Sequence, residues 1–145
     1  MCTRYRDRIK HFLPIEDRAV KTRLVKGTKA RLRIESDALL QALPEPAWLI
    51  ALDRRGRQMS SEDFARRLQA LQRDWPHSLV FVLGSDLGLG GSVLGQAREK
   101  LSLGKMTLPH ELARLVLYEQ IYRALSIAAG MKYHREPLQV DPARG

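Results

Sequence analysis

A chain of 145 residues, 44% of them hydrophobic, has the length of one domain and enough apolar material for an ordinary core. A net charge of +9 points to an anionic partner, nucleic acid before a membrane surface, and the single cysteine, Cys2, excludes an intramolecular disulfide framework and suits a reducing cytoplasm. No apolar run reaches the roughly 18 to 20 residues that cross a bilayer, and residues 1–15 mix charge with scattered apolars, unlike a signal peptide, so a soluble, cytoplasmic chain is expected.

The charge is concentrated at the amino end. Residues 1–35 hold 11 Lys or Arg against 4 Asp or Glu, a balance of +7 that leaves only +2 for the remainder. Either this stretch meets phosphates or it is a solvated basic face. Within it, Tyr5, Ile9 and Phe12 or Leu13 recur at helical spacing over residues 4–13. Residues 15–25 read as a short strand entering a basic loop at 26–29. Leu32, Leu39, Leu40 and Leu43 then form one stripe of a helix over 30–43, which Pro44 and Pro46 stop.

The next elements alternate. AWLIAL at 47–52 is a continuous apolar run, as a buried parallel strand requires, and it ends in the charged segment DRRGR at 53–57, read as a turn. Ser60 or Ser61 is placed to cap a helix running to about Arg73, with Phe64, Leu68 and Leu71 facing inward. SLVFVL at 78–83 is a second buried strand. It enters the glycine-rich loop 84–91 (GSDLGLGG), after which a short helix is expected over 93–100. This pattern predicts an α/β fold with helices covering a mostly parallel sheet, and ligands at the carboxyl ends of its strands. One domain over 1–135 and a disordered tail over 136–145 are expected.

Motif chemistry alone is open. The spacing of the glycine-rich loop is neither a dinucleotide fingerprint nor a P-loop, so a tight structural turn is as good a reading as a ligand loop. Asp53 is placed to bind a ribose hydroxyl or to cap a turn. Three segments taken together are more specific: FVLGSDLGL at 81–89, KLSLGKMTLPHELAR at 100–114, and LYEQIYRALSI from 117 followed by Tyr133-His134. In order and spacing they resemble the ribosomal RNA large subunit methyltransferase H family of the SPOUT class, over residues 45–135 and more loosely over 4–40.

The resemblance implies a carboxyl-terminal trefoil knot, a rare exception among folds, and S-adenosylmethionine as the cofactor bound inside it. Carried over by position, Leu52 and Gly84 come from the first two loops of that site, and Leu103, Gly104, Lys105, Met106, Thr107 and Leu108 from the third. Leu52, Leu103, Met106 and Leu108 would wall an apolar slot for adenine, while backbone groups around Gly84 and Gly104 supply hydrogen bonds. Thr107 is placed to cap the helix that Pro109 begins, expected over 109–129. His110 reads as a packing or dimer residue.

The implied reaction is methylation of N3 of a pseudouridine in 23S ribosomal RNA within the assembled ribosome. Aligning nucleophile and methyl carries much of such a reaction, and loss of the imide proton needs assistance. The catalytic candidates are His134 and Tyr133, with Arg123 as a ligand for phosphate or the base anion. Arg123 also stands four residues after Glu119, where a helix-surface pair is the plain alternative. A homodimer is expected, because Leu112, Val116, Leu117, Ile121 and Leu125 make a face wider than one core needs. No metal is implied.

This sequence also departs from the family pattern. Family members begin with a strand ahead of the first helix, and this chain begins near that helix, so about 20 residues with a strand are expected to be missing. Ser85 stands where a second glycine is usual. A catalytically impaired RNA-binding relative is therefore the alternative function, and a nucleotide-binding regulatory module leaves residues 100–110 unexplained.

Overall fold

The structure is a computed structural model that describes residues 2–22 and 25–130. The expected tail over 136–145, and Tyr133 and His134, lie outside these residues. The order of elements is α1 (Cys2–Ile9), α2 (Thr28–Gln41), β1 (Ala47–Gln58), α3 (Ser61–Asp74), β2 (Ser78–Val82), α4 (Gly91–Gln96), β3 (Glu99–Ser102) and α5 (His110–Ala128). The chain forms two compact units.

One unit, residues 16–58 and 75–114, contains the sheet. Its strands lie in the order β2-β1-β3, and both pairings are parallel. Leu49 is central to the core, with Val82 and Val93 buried beside it and Leu39, Leu40, Leu43 and Leu89 packed around them. The apolar stripe of α2 and the apolar runs of β1 and β2 thus meet in one core, with β1 as the central strand.

The segment 53–57 is not the turn that its charge suggested. Leu52 and Arg57 both pair with Leu101, so residues 53–56 form an excursion and β1 then resumes to Gln58. Asp53 Oδ1 accepts a hydrogen bond from the backbone N–H of Arg55 at 3.0 Å, which closes the excursion locally. Gly56 lies against the β3 backbone, where a Cβ would stand 2.6 Å from the carbonyl carbon of Lys100. The charged side chains project from an interrupted strand.

β3 was also missed. The helix expected over 93–100 ends at Gln96, and Glu99–Ser102 is a strand. Four residues with two charges carry no alternation that a pattern could detect; pairing with β1 forms the strand. The strand expected over 15–25 is absent from its described residues, 15–22 and 25, which join no ladder. Side chains anchor this segment instead: Arg114 Nε donates to Asp17 at 2.9 Å, and Arg18 donates to Glu16 and to the carbonyl oxygen of Ala42.

At the amino ends of the strands lies an aromatic cluster. Trp48 of β1 and Trp75 meet edge to face at 5.4 Å, and the Arg98 guanidinium stands 4.7 Å from the Trp48 ring centre. Trp48 Nε1 donates to Glu99 at 2.6 Å.

The other unit comprises residues 1–15, 59–74 and 115–145. Within it α1 ends at Ile9, earlier than expected, and two tighter turns carry the chain to Leu13 because Pro14 disfavours helix in the residue before it. Ser60 caps α3: its hydroxyl accepts the backbone N–H of Asp63 at 3.1 Å. Phe64, Leu68 and Leu71 of α3 face inward as expected, joined by Ala65, each large side chain contributing about 1.5–3 kcal/mol by burial. From α5, Leu117, Ile121 and Leu125 are buried, so much of its broad apolar face is consumed within the chain, while Leu112 is 44% exposed. Tyr122 meets Tyr5 and Phe12 with ring centres 6.2 and 6.1 Å apart.

Candidate active site

Parallel pairing puts the carboxyl ends of the three strands side by side, which is where a sheet of this kind binds ligands. Three chain segments leave from those ends: Leu52 with the 53–56 excursion, the loop from Leu83 to Gly90, and residues 103–109. Hydrogen bonds tie them together. Arg54 Nη1 donates to the Thr107 hydroxyl at 2.8 Å, and His110 Nδ1 donates to the carbonyl oxygen of Gly84 at 2.7 Å.

The loop after β2 folds back on itself. The backbone N–H of Gly88 donates to Ser85 O at 2.9 Å, and a Cβ on Gly84 would collide with the Gly88 backbone. Glycine at 84 is therefore required by the turn itself. Ser85 Oγ also accepts the Leu87 N–H at 3.2 Å.

The 103–109 segment is shaped by buried Ser102, whose hydroxyl accepts the N–H of Gly104 at 3.1 Å and donates to its carbonyl at 3.0 Å. Gly104 has φ +140°, a conformation that side-chain-bearing residues rarely adopt, and a Cβ there would meet nothing within 4 Å. Its backbone is thus bare and open. Met106 beside it is 82% exposed, an unusual position for a large apolar side chain. Leu52, Leu103 and Leu108 are half-buried, and Lys105 and Thr107 are exposed. An open glycine backbone beside one exposed methionine and three half-buried leucines fits a flat, partly apolar ligand held by backbone groups.

Thr107 does not cap α5, as the sequence had suggested. The helix begins at His110, one residue after Pro109, and the Thr107 hydroxyl accepts from Arg54. Arg54 was missed because its partner lies 53 residues away. The two-residue step from Ser102 to Gly104, a frequent hydroxyl-to-backbone turn, was a usable signal.

Asp53 serves its own excursion: Arg55 donates to it from both backbone and side chain, and the Arg55 guanidinium holds its carboxyl below the usual aspartate range. Arg123 lies in the other unit, with its side chain 11% exposed and its Nη2 2.6 Å from Glu119. The i, i+4 pair is present, and it is largely buried. Among the described residues no group of three or more His, Cys, Asp or Glu is placed to hold a metal, and no helix is long and apolar enough to cross a membrane.

A parallel α/β sheet with two glycine-bearing loops at its carboxyl edge agrees with the class that sequence comparison finds: a family model described as "Predicted SPOUT methyltransferase" matches residues 1–134. The chain belongs to this family, and within it to the ribosomal RNA large subunit methyltransferase H group. It is 42% identical to the protein of that name from Xanthobacter autotrophicus, over 93% of this chain and 88% of the relative. The namesake from Rubrobacter xylanophilus is 43% identical over 92% and 87%, and that from Desulfotalea psychrophila 37% identical over 90% and 86%. Such a family works with a methyl-donor cofactor, and the Gly84 and Gly104 segments are suited to hold one.

Proposed function

We propose that this protein transfers the methyl group of S-adenosylmethionine to N3 of a pseudouridine in large-subunit ribosomal RNA, acting in the cytoplasm as a homodimer on the assembled ribosome. The reading is carried by the open Gly104 backbone beside exposed Met106, joined to the loops from β1 and β2, in a chain whose relatives bear large-subunit methyltransferase names. In this proposal Leu52, Gly84 and the segment Leu103 to Leu108 hold the cofactor, threaded in a trefoil knot. When bound, the cofactor supplies an activated methyl group. The chain's own residues then hold the base in line with it, and Tyr133 or His134 takes or polarises the imide proton while Arg123 offsets anionic charge.

The test is methylation with radiolabelled S-adenosylmethionine on assembled ribosomes, isolated large subunits and naked large-subunit RNA, followed by mass spectrometry of nucleosides. Label in a pseudouridine, with ribosomes the best substrate, is expected. No label on any substrate, despite cofactor binding, would favour an impaired RNA-binding relative. A monomer in sedimentation at tens of micromolar would remove the dimer from the proposal.

A further inference from the structure

The loop between β2 and α4 is gripped at both ends by one face of α2. Arg31 and Glu35 stand one turn apart on that helix, and Arg31 Nε donates to Glu35 Oε2 at 2.9 Å. The other oxygen of Glu35 accepts the Ser85 hydroxyl at 2.6 Å, and Arg31 Nη2 donates to Asp86 Oδ1 at 2.6 Å. Two adjacent loop residues are thereby fixed to two helix residues by a closed set of charge-assisted hydrogen bonds. At the far end, Ser36 is buried with no hydrogen-bond partner, and a Cβ on Gly90 would collide with its hydroxyl. The Ser85 hydroxyl has a second task, since it accepts the Leu87 N–H and so shapes the loop's turn. Neither Ser85 nor Glu35 has a part in the chemistry described above.

We infer that α2 sets the ligand-ready shape of the 84–91 loop, with Ser85 and Glu35 as positioning residues for the cofactor. A serine at 85 adds a hydroxyl that a glycine could not, and the hydroxyl donates to the Glu35 carboxylate of α2. A carboxylate with one oxygen on Arg31 and the other on Ser85 has little freedom to move, so the loop backbone, including the Gly84 carbonyl, is fixed before any ligand arrives. Preorganisation of this kind lowers the cost of ligand binding, and its loss is read as weaker affinity. The inference rests on the cofactor reading given above.

The test compares wild type with Ser85→Ala, Glu35→Gln and Ser85→Thr. Hydrogen–deuterium exchange over residues 84–91 in the ligand-free protein reads the loop directly. Calorimetry with S-adenosylhomocysteine reads affinity, and initial rates separate KM for the donor from kcat. Ser85→Ala should speed exchange over 85–88 and raise the dissociation constant about fivefold to tenfold, with KM rising in step and kcat at saturation within about twofold. Glu35→Gln should show the same pattern. Ser85→Thr, which keeps the hydroxyl, should restore both affinity and slow exchange. If wild type binds no S-adenosylhomocysteine, the cofactor reading fails, and the exchange comparison alone still decides whether Ser85 shapes the loop. Unchanged exchange in Ser85→Ala would overturn the inference, as would unchanged affinity with faster exchange.

Discussion

His110, the first residue of α5, donates from Nδ1 to the carbonyl oxygen of Gly84 at 2.7 Å, joining the start of that helix to the loop that follows β2. The Gly84 carbonyl is reached by a side chain 26 residues further along, so the glycine loop and the 103–109 segment form one structure.

Gly104 is the position where backbone strain and ligand contact can be separated. Alanine and valine meet the same unfavourable φ of +140° with open space at their Cβ, so both should lower the melting temperature, the β-branched valine more. Gly104→Val should in addition weaken S-adenosylmethionine binding at least tenfold, about 1.4 kcal/mol, and more than Gly104→Ala does, while RNA affinity stays nearly unchanged. Calorimetry on both variants checks this. Normal cofactor affinity in the valine variant would remove Gly104 from the site.

His134→Ala should behave in the opposite way. Cofactor affinity is expected within about twofold of wild type, while single-turnover methylation slows by about 10² or more if the imidazole assists proton removal. Rapid-quench measurement of one turnover is the readout. A change under about threefold would leave His134 without a catalytic part.

Lys26 and Lys29 are exposed in the basic stretch that precedes and opens α2. If they meet phosphates, the double substitution to alanine should reduce the slope of log affinity against log salt by about one to two units, because each neutralised phosphate releases counterion. Binding to ribosomal RNA measured at four or five salt concentrations gives the slope. No change would make them a solvated face.

Asp53 gives a pH dependence of defined sign. Its carboxyl is held below the usual aspartate range, first by hydrogen bonds from the Arg55 side chain and backbone, and its side chain is only 14% exposed. A carboxylate with a lowered pKa in the fold stabilises fully above the ordinary value, near pH 4, and loses that contribution as pH falls through the lowered one. Denaturant unfolding of wild type should therefore weaken below about pH 4, and Asp53→Asn should be less stable at neutral pH yet flatter with acid. Parallel curves for the two proteins would show that Asp53 contributes no linkage.

The sequence was readable where one periodicity served one core. β1 and β2 declared themselves by continuous apolar runs, and α3 by the spacing of Phe64, Leu68 and Leu71. β3 did not, because Glu99 and Lys100 form a strand only through their partners in β1, and pairing over a distance leaves no local mark. The resumption of β1 at Arg57 was hidden by charge. In the candidate site, glycines 84 and 104 were visible as glycines, whereas Arg54 on Thr107 and Ser85 on Glu35 join residues 53 and 50 positions apart. The segment 15–22 joins no ladder, and what holds it is side-chain chemistry over a distance: Asp17 on Arg114 and Arg18 on the Ala42 carbonyl.

The aromatic cluster at the amino ends of the strands has an optical consequence. Trp48 and Trp75 are the only tryptophans of the chain, and both lie in the sheet unit, whereas Tyr5, Tyr118 and Tyr122 lie in the helical one. Fluorescence excited where tryptophan alone absorbs therefore reports on the unit holding the glycine loops and on nothing else, while far-ultraviolet dichroism also weighs α1, α3 and most of α5. Coincident transitions from the two signals would mean that the units melt as one; separated transitions would give each unit its own stability without a label being attached.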